Sequence, residues 1–286
     1  MSLMIEPIVE ALSYPPIQRA LLACLLCGAS CALLSVFVVL MKMPLIGVSM
    51  SHAAFAGAVL GMLLDINPFL SGLILCLLTA AVLGPLSDRS DIAPENLLGI
   101  LFSFLMGIAF LGMGILTQTK AGALNLMWGS LLTLSLADLA VLAAVTAVLA
   151  AFVVLFFKEI RAVLFNRRLA ASAGVPERVI YYALLFLTGA VVSANLATVG
   201  GLLIFALLVQ PGATALQLTY NLKYFFWISA AAGVFACGLG LVFSYIFDIP
   251  SGAAVVLTAT LLFALAFVFS PKRRLMKGNV LKNDRR

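Results

Sequence analysis

From residue 19 onward the chain is a succession of long apolar runs broken by short polar stretches. The runs cover residues 19–41, 45–64, 68–86, 96–116 and 137–157, then 178–194, 199–216, 224–247 and 250–270. Each is close to the ~20 residues a helix needs to cross a hydrocarbon layer. None alternates with the period of two expected of a barrel strand, and lipid offers exposed backbone no hydrogen-bond partner, so each run is predicted to be a helix. The pattern predicts an all-α, polytopic transmembrane helical bundle of about eight to nine spans. Residues 124–135 are too short to cross alone and are expected to be re-entrant or interfacial. The segments that open at Leu45 and Val199 are flanked by Gly and Pro and are candidates for broken or tilted helices.

Composition strengthens this picture. Of 286 residues, 64% are hydrophobic and 10% charged, against roughly 25% charged in a soluble domain. One transmembrane domain is expected over 1–286, with a polar loop at 158–178 and a basic tail at 271–286. Glu6 and Glu10 stand where a cleavable leader would carry basic residues, so none is expected. The five cysteines lie inside apolar runs and do not form a secreted disulfide framework. The net charge of +6 is concentrated in loops and the tail, so the expected surface partner is a lipid membrane and not nucleic acid.

Lys and Arg also orient the bundle. The tail "PKRRLMKGNVLKNDRR" and the stretch "KEIRAVLFNRRLAASAGVPER" are strongly basic, and the positive-inside rule places both in the cytoplasm. The loops around Lys42 and Arg89 then lie inside and the N-terminus outside. Glu6, Glu10, Asp65, Asp138 and Asp248 form a mildly acidic outer rim, either plainly solvated or able to concentrate cations.

Motifs for covalent chemistry are missing. The sequence holds no GxxxxGK[ST] phosphate loop, no HExxH pair and no carboxylate pair within a span, so no catalytic residue is assigned. Gly57 and Gly61, with Gly233, Gly238 and Gly240, are small residues suited to close helix approach. Cys24, Cys27 and Cys31 share one face of the first span and read as a packed seam, with soft-metal ligation as the alternative. Met41, Met43 and Met50 read as filler, and Phe225, Phe226 and Trp227 as an interfacial aromatic belt.

Four stretches occur in the order found in one family. "MPLIGVSMSHAAFAG" carries Ser51-His52-Ala53. "PENLLGILFSFLMGIAFLGMG" carries Gly99, Ile100, Phe102 and Ser103. "VGGLLIFALLVQPGATA" and "DIPSGAAVVL" follow. The chain resembles the zinc/manganese/iron-type ABC importer permeases over nearly its whole length. The resemblance marks Gly47, Gly200, Pro211, Pro250 and Gly252 as structural motif positions. It implies a homodimeric permease in the plasma (inner) membrane of a prokaryote, moving zinc, manganese or iron by alternating access. It also implies a separate ATPase holding ATP and magnesium, and a metal-binding receptor outside; this chain itself would bind no cofactor. A chelated metal as cargo, or an ATP-independent carrier or channel, is the alternative.

Within "NRRLAASAGVPE" a short helix stopped by Gly174 and Pro176 is expected outside the membrane. By the resemblance it is the coupling helix that meets the ATPase, through Asn166, Arg168, Ala170 and Gly174. Asn166 and Arg168 stand where the family often has acids.

His52 is the only histidine and almost the only ionisable group at membrane depth. The family usually carries an Asp four residues earlier, on the same helical face, where both could converge on one cation. Here that position is Val48, and Ser49 and Ser51 are uncharged neighbours. His52 is therefore a candidate metal ligand lining a substrate path with Ser49 and Ser51. A neutral structural histidine and a pH sensor are the other readings. The missing carboxylate also suits a cargo that needs less direct ligation, such as a chelate.

Overall fold

The computed structural model describes residues 14–89, 92–116 and 134–270. Among the described residues there are eleven α-helices and no strand. They are α1 (Pro15–Leu40), α2 (Leu45–Leu63), α3 (Pro68–Arg89), α4 (Pro94–Ile115), α5 (Leu136–Leu155), α6 (Phe157–Phe165), α7 (Arg167–Ser172), α8 (Glu177–Val199), α9 (Gly201–Leu218), α10 (Leu222–Phe247) and α11 (Ser251–Val268). Eight are long and apolar enough to cross a membrane. The ninth expected span is α9, an 18-residue helix. Most of residues 124–135 lie outside the described residues.

Local sequence explains where the helices begin and stop. Pro15 and Pro94 sit at first-turn positions, where their missing N–H costs nothing. The Asn67 side chain accepts from Phe69 N–H at 2.9 Å, and Asn221 from Lys223 N–H at 3.0 Å. Ser135 and Asp138 form a reciprocal capping box at the head of α5. Gly200 takes φ +82° and separates α8 from α9; α8 thus runs on past Ala194, and α9 continues through Pro211 as a single helix. A side chain would be strained at residue 200.

The helices meet through small residues. A Cβ on Gly28 would lie 2.7 Å from Gly233 O, so α1 and α10 touch backbone to backbone. A Cβ on Gly57 would lie 2.5 Å from Ser71 O, and one on Gly72 2.8 Å from Ala54 O, so α2 and α3 do the same. Without a hydrophobic drive between helices in lipid, such dispersion contact is what holds them together. Gly238 departs from the expectation: no atom of another described helix stands within 4 Å of its Cβ position, so it makes no close helix approach among the described residues.

Buried hydroxyls bond across helices as well as within them. Ser229 donates to Ala32 O at 2.7 Å, and Gly212 N–H donates to Ser35 Oγ at 2.7 Å beside Pro211. The proline removes one helical donor there, and Ser35 partners the neighbouring amide. Cys24, Cys27, Cys31 and Cys237 are all buried, the first three in α1. The belt expected of three consecutive aromatics is corrected. Phe225 and Phe226 are buried, while Tyr224 and Trp227 stay exposed. Adjacent residues on a helix point about 100° apart, so a run of three cannot share one environment.

Candidate functional site

His52 lies in α2, a helix almost wholly buried. Between Ile46 and Val59 only Val48 and His52 escape full burial, and they sit one turn apart on one face. His52 Nδ1 lies 2.9 Å from Val48 O. A carbonyl can only accept, so Nδ1 carries the proton toward it, and in the neutral ring Nε2 keeps the free lone pair. The ring also meets Phe102 of α4 edge to face, with centroids 5.0 Å apart. Backbone anchor and aromatic wall together fix the imidazole, the arrangement that orients a ligating histidine. Val48 brings no carboxylate, and its carbonyl oxygen is occupied by the imidazole and by Ser51.

The two serines grouped with His52 have other partners. Ser49 is fully buried and donates to Leu98 O at 2.9 Å, tying α2 to α4. Ser51 is also buried and donates to Val48 O at 2.9 Å. His52 is thus the group at this place with a free ligating atom. No cluster of three or more His, Cys, Asp or Glu able to hold a metal exists among the described residues. The arrangement presents one imidazole nitrogen beside the edge of an aromatic ring, with no second ionisable ligand next to it among the described residues.

The motif glycines and prolines divide by environment. A Cβ on Gly47 would meet Leu208 Cδ1 at 3.0 Å, and one on Gly201, beside Gly200, would lie 3.7 Å from Ser51 Cβ. So α9 lies against the His52 helix. Pro250 caps α11, whereas Gly252 has nothing within 4 Å of its Cβ position.

A second set of polar groups gathers at the opposite ends of α3 and α8. Asn166 caps α7, accepting from Arg168 N–H at 2.9 Å and Leu169 N–H at 3.2 Å. Ala170 is buried, while Arg168 is exposed. Gly174 has φ +79°; its N–H donates to Ala171 O at 3.1 Å and Val175 N–H to Ala170 O at 3.0 Å, a Schellman ending. No atom lies within 4 Å of a Cβ there, so the need for glycine is conformational.

Sequence reasoning passed over the residue between these. Arg167 Nη2 pairs with Asp88 Oδ1 at 3.0 Å and with Glu177 Oε2 at 2.9 Å, and Nε also reaches Glu177 Oε2 at 3.1 Å. Its guanidinium carbon lies 3.9 Å from the centroid of the Tyr181 ring. Burial opposes the Arg167 charge, but hydrogen bonds and charge from Glu177 and Asp88 outweigh it and raise its pKa above the ordinary value. Tyr182 OH donates to Asp88 Oδ2 at 2.8 Å, and Tyr181 OH to Met43 Sδ at 3.7 Å. The α1–α2 turn, the end of α3 and the start of α8 therefore share one end of the bundle. The available signal was an Arg preceded by a capping Asn and followed ten residues later by Glu.

Among the described residues, a helical bundle with an apolar outer surface and a nearly charge-free interior has the architecture of a polytopic membrane protein. The chain belongs to the ABC 3 transport family, whose model matches residues 13–270. It is 34% identical over 264 residues to the manganese transport system membrane protein MntC of Halalkalibacterium halodurans, covering 92% of this chain and 90% of that one. It is 31% identical over 274 residues to a probable iron transport system membrane protein of Haemophilus influenzae, covering 94% and 99%. Among solved structures it is similar to PsaBC from Streptococcus pneumoniae in complex with Fab. There the TM-score is 0.85 and the identity 27%, covering 96% of this chain and 99% of that one.

Proposed function

We infer that the chain is the membrane-spanning permease subunit of an ABC importer for a divalent transition metal, with manganese and iron ahead of zinc. The observation that carries this is end-to-end similarity to permeases named for manganese and iron transport. The chain carries no ATP-binding motif, and we take the energy to come from a separate ATPase holding ATP and magnesium, docked on the exposed side of α7 at Asn166 and Arg168. Ala170, buried against this chain, and Gly174, whose left-handed backbone ends the helix, shape that surface without forming it. A second copy of the chain completes the pore, and a receptor outside delivers the metal. The basic loop and tail face the cytoplasm of a prokaryote. Alternating access then passes the cation across His52, whose Nε2 offers an exchangeable ligand with no carboxylate to trap it.

The test is multi-element metal accumulation in cells stripped of their own importers, expressing this chain with its ATPase and receptor. Manganese or iron should accumulate, and His52→Ala should lower uptake by about tenfold or more, the size of effect seen when metal-site groups are lost. Val48→Asp should slow release and lower turnover while tightening binding. Accumulation that persists after ATP depletion would return the reading to an ATP-independent carrier. No accumulation of any free metal would move the cargo to a chelate.

A further inference from the structure

We propose that Arg167 is the positioning residue that transmits displacement of α7 into α3 and α8, two of the helices packed on the His52 helix. A six-residue helix has no stability of its own, so its neighbours dictate where α7 sits. Ala170 is its one buried side chain; Arg167 supplies the remaining anchorage. That anchorage is directional, because the guanidinium holds Glu177 through two nitrogens, Asp88 through one, and stacks on the ring of Tyr181. Asp88 ends α3 and Glu177 begins α8, so one side chain joins three helices.

Both recipients lead to His52. Helix α3 touches α2 backbone to backbone at Gly57 and Gly72, and Cys76 Sγ donates to Met50 O at 3.2 Å. Helix α8 meets α3 where a Cβ on Gly189 would lie 3.4 Å from the backbone of Cys76, and continues through Gly200 to the Gly201–Ser51 contact. At Gly57 and Gly72 there is no room even for a Cβ, while at Gly189 and Gly201 a Cβ would stand at ordinary van der Waals distance. A shift at the Asp88 end therefore moves α3 and α2 together as bodies, and α8 follows by normal packing. This inference rests on the permease reading for its ATPase, but not on the identity of the cargo.

The experiment uses the whole transporter, this chain with its ATPase and receptor, in vesicles. Val48→Cys places a thiol at a half-buried position one turn from His52; the native cysteines are all buried. Its labelling by a membrane-impermeant maleimide is followed with and without ATP, beside ATP hydrolysis, thermal melting and manganese(II) uptake. With Arg167 present, ATP should change the labelling rate by about fivefold or more, the lower range of coupled two-site effects. Arg167→Met should remove that change while hydrolysis and melting stay near those of the Arg167 protein, and Arg167→Lys should restore part of it. Asp88→Asn should add little to Arg167→Met, since both break one linkage. The proposal is overturned by an unchanged ATP response in Arg167→Met, by loss of hydrolysis, melting and labelling in step, or by no ATP response at all with Arg167 in place. An intact, Arg167-dependent labelling response, with no manganese(II) uptake by the transporter that retains Val48, would sink the metal reading and uphold the role of Arg167.

Discussion

The His52 face and the Arg167 cluster solve opposite problems with polar groups. Around His52 there is one ionisable side chain, held by a backbone carbonyl and the edge of a phenyl ring, with two buried serines spent on carbonyls. Around Arg167 there are two carboxylates, two tyrosines and a second arginine, with Arg178 Nε 3.7 Å from Glu177 Oε1. In the apolar interior an unpaired charge is expensive, so specificity there rests on shape and on a neutral ligand. At the water-facing end, charges cost little and hold helices in register through directional bonds. The transport step and the coupling step thus use different physics, joined by glycine-tight packing of α2 on α3.

Substitutions that separate the two regions should differ in size as well as kind. The largest stability effect is expected at the joint between them. Gly57→Leu drives a side chain into the α3 backbone, and thermal unfolding in detergent should show a loss of about 3 kcal/mol. A loss below about 1 kcal/mol would mean that α2 and α3 can part, and that motion need not pass between them. At the Arg167 end the effects are conformational and smaller. Gly174→Val forces a β-branched residue into a left-handed conformation at about 1–2 kcal/mol, whereas Gly174→Asn tolerates it. Pull-down of the ATPase should therefore weaken with Val and survive with Asn. Equal loss in both would show that the ATPase surface contacts Gly174 directly. Smallest is Ser49→Ala, which removes the bond to Leu98 O and should cost about 1 kcal/mol. It should reduce transport only modestly; a loss as deep as that of His52→Ala would make Ser49 a member of the path after all.

Much of this was legible in the chain, and unevenly so. Nine apolar runs were located within a few residues of nine helices, and a short helix with a glycine stop was foreseen at residues 166–177. His52 stood out because an imidazole at membrane depth is rare. The partners were less visible. Arg167 and Arg168 are identical neighbours in sequence, yet one is clamped between Asp88 and Glu177 and the other is exposed. Likewise Gly57 and Gly252 look alike, and only the first has another helix's backbone against it.

By itself the sequence determined what depends on short range. Lipid-length apolar runs must become helices, because no other backbone arrangement of such runs satisfies its own hydrogen bonds within a membrane. Caps, prolines and glycines then set the helix ends. Only the tertiary structure decided which side of each helix meets which neighbour. That choice placed Ser49 on a carbonyl 49 residues away, buried Phe225 and Phe226 while leaving Trp227 out, and singled out Arg167 over Arg168. The reason is that helix formation is decided within a few turns of chain, whereas packing partners are chosen by close fit between surfaces far apart in sequence.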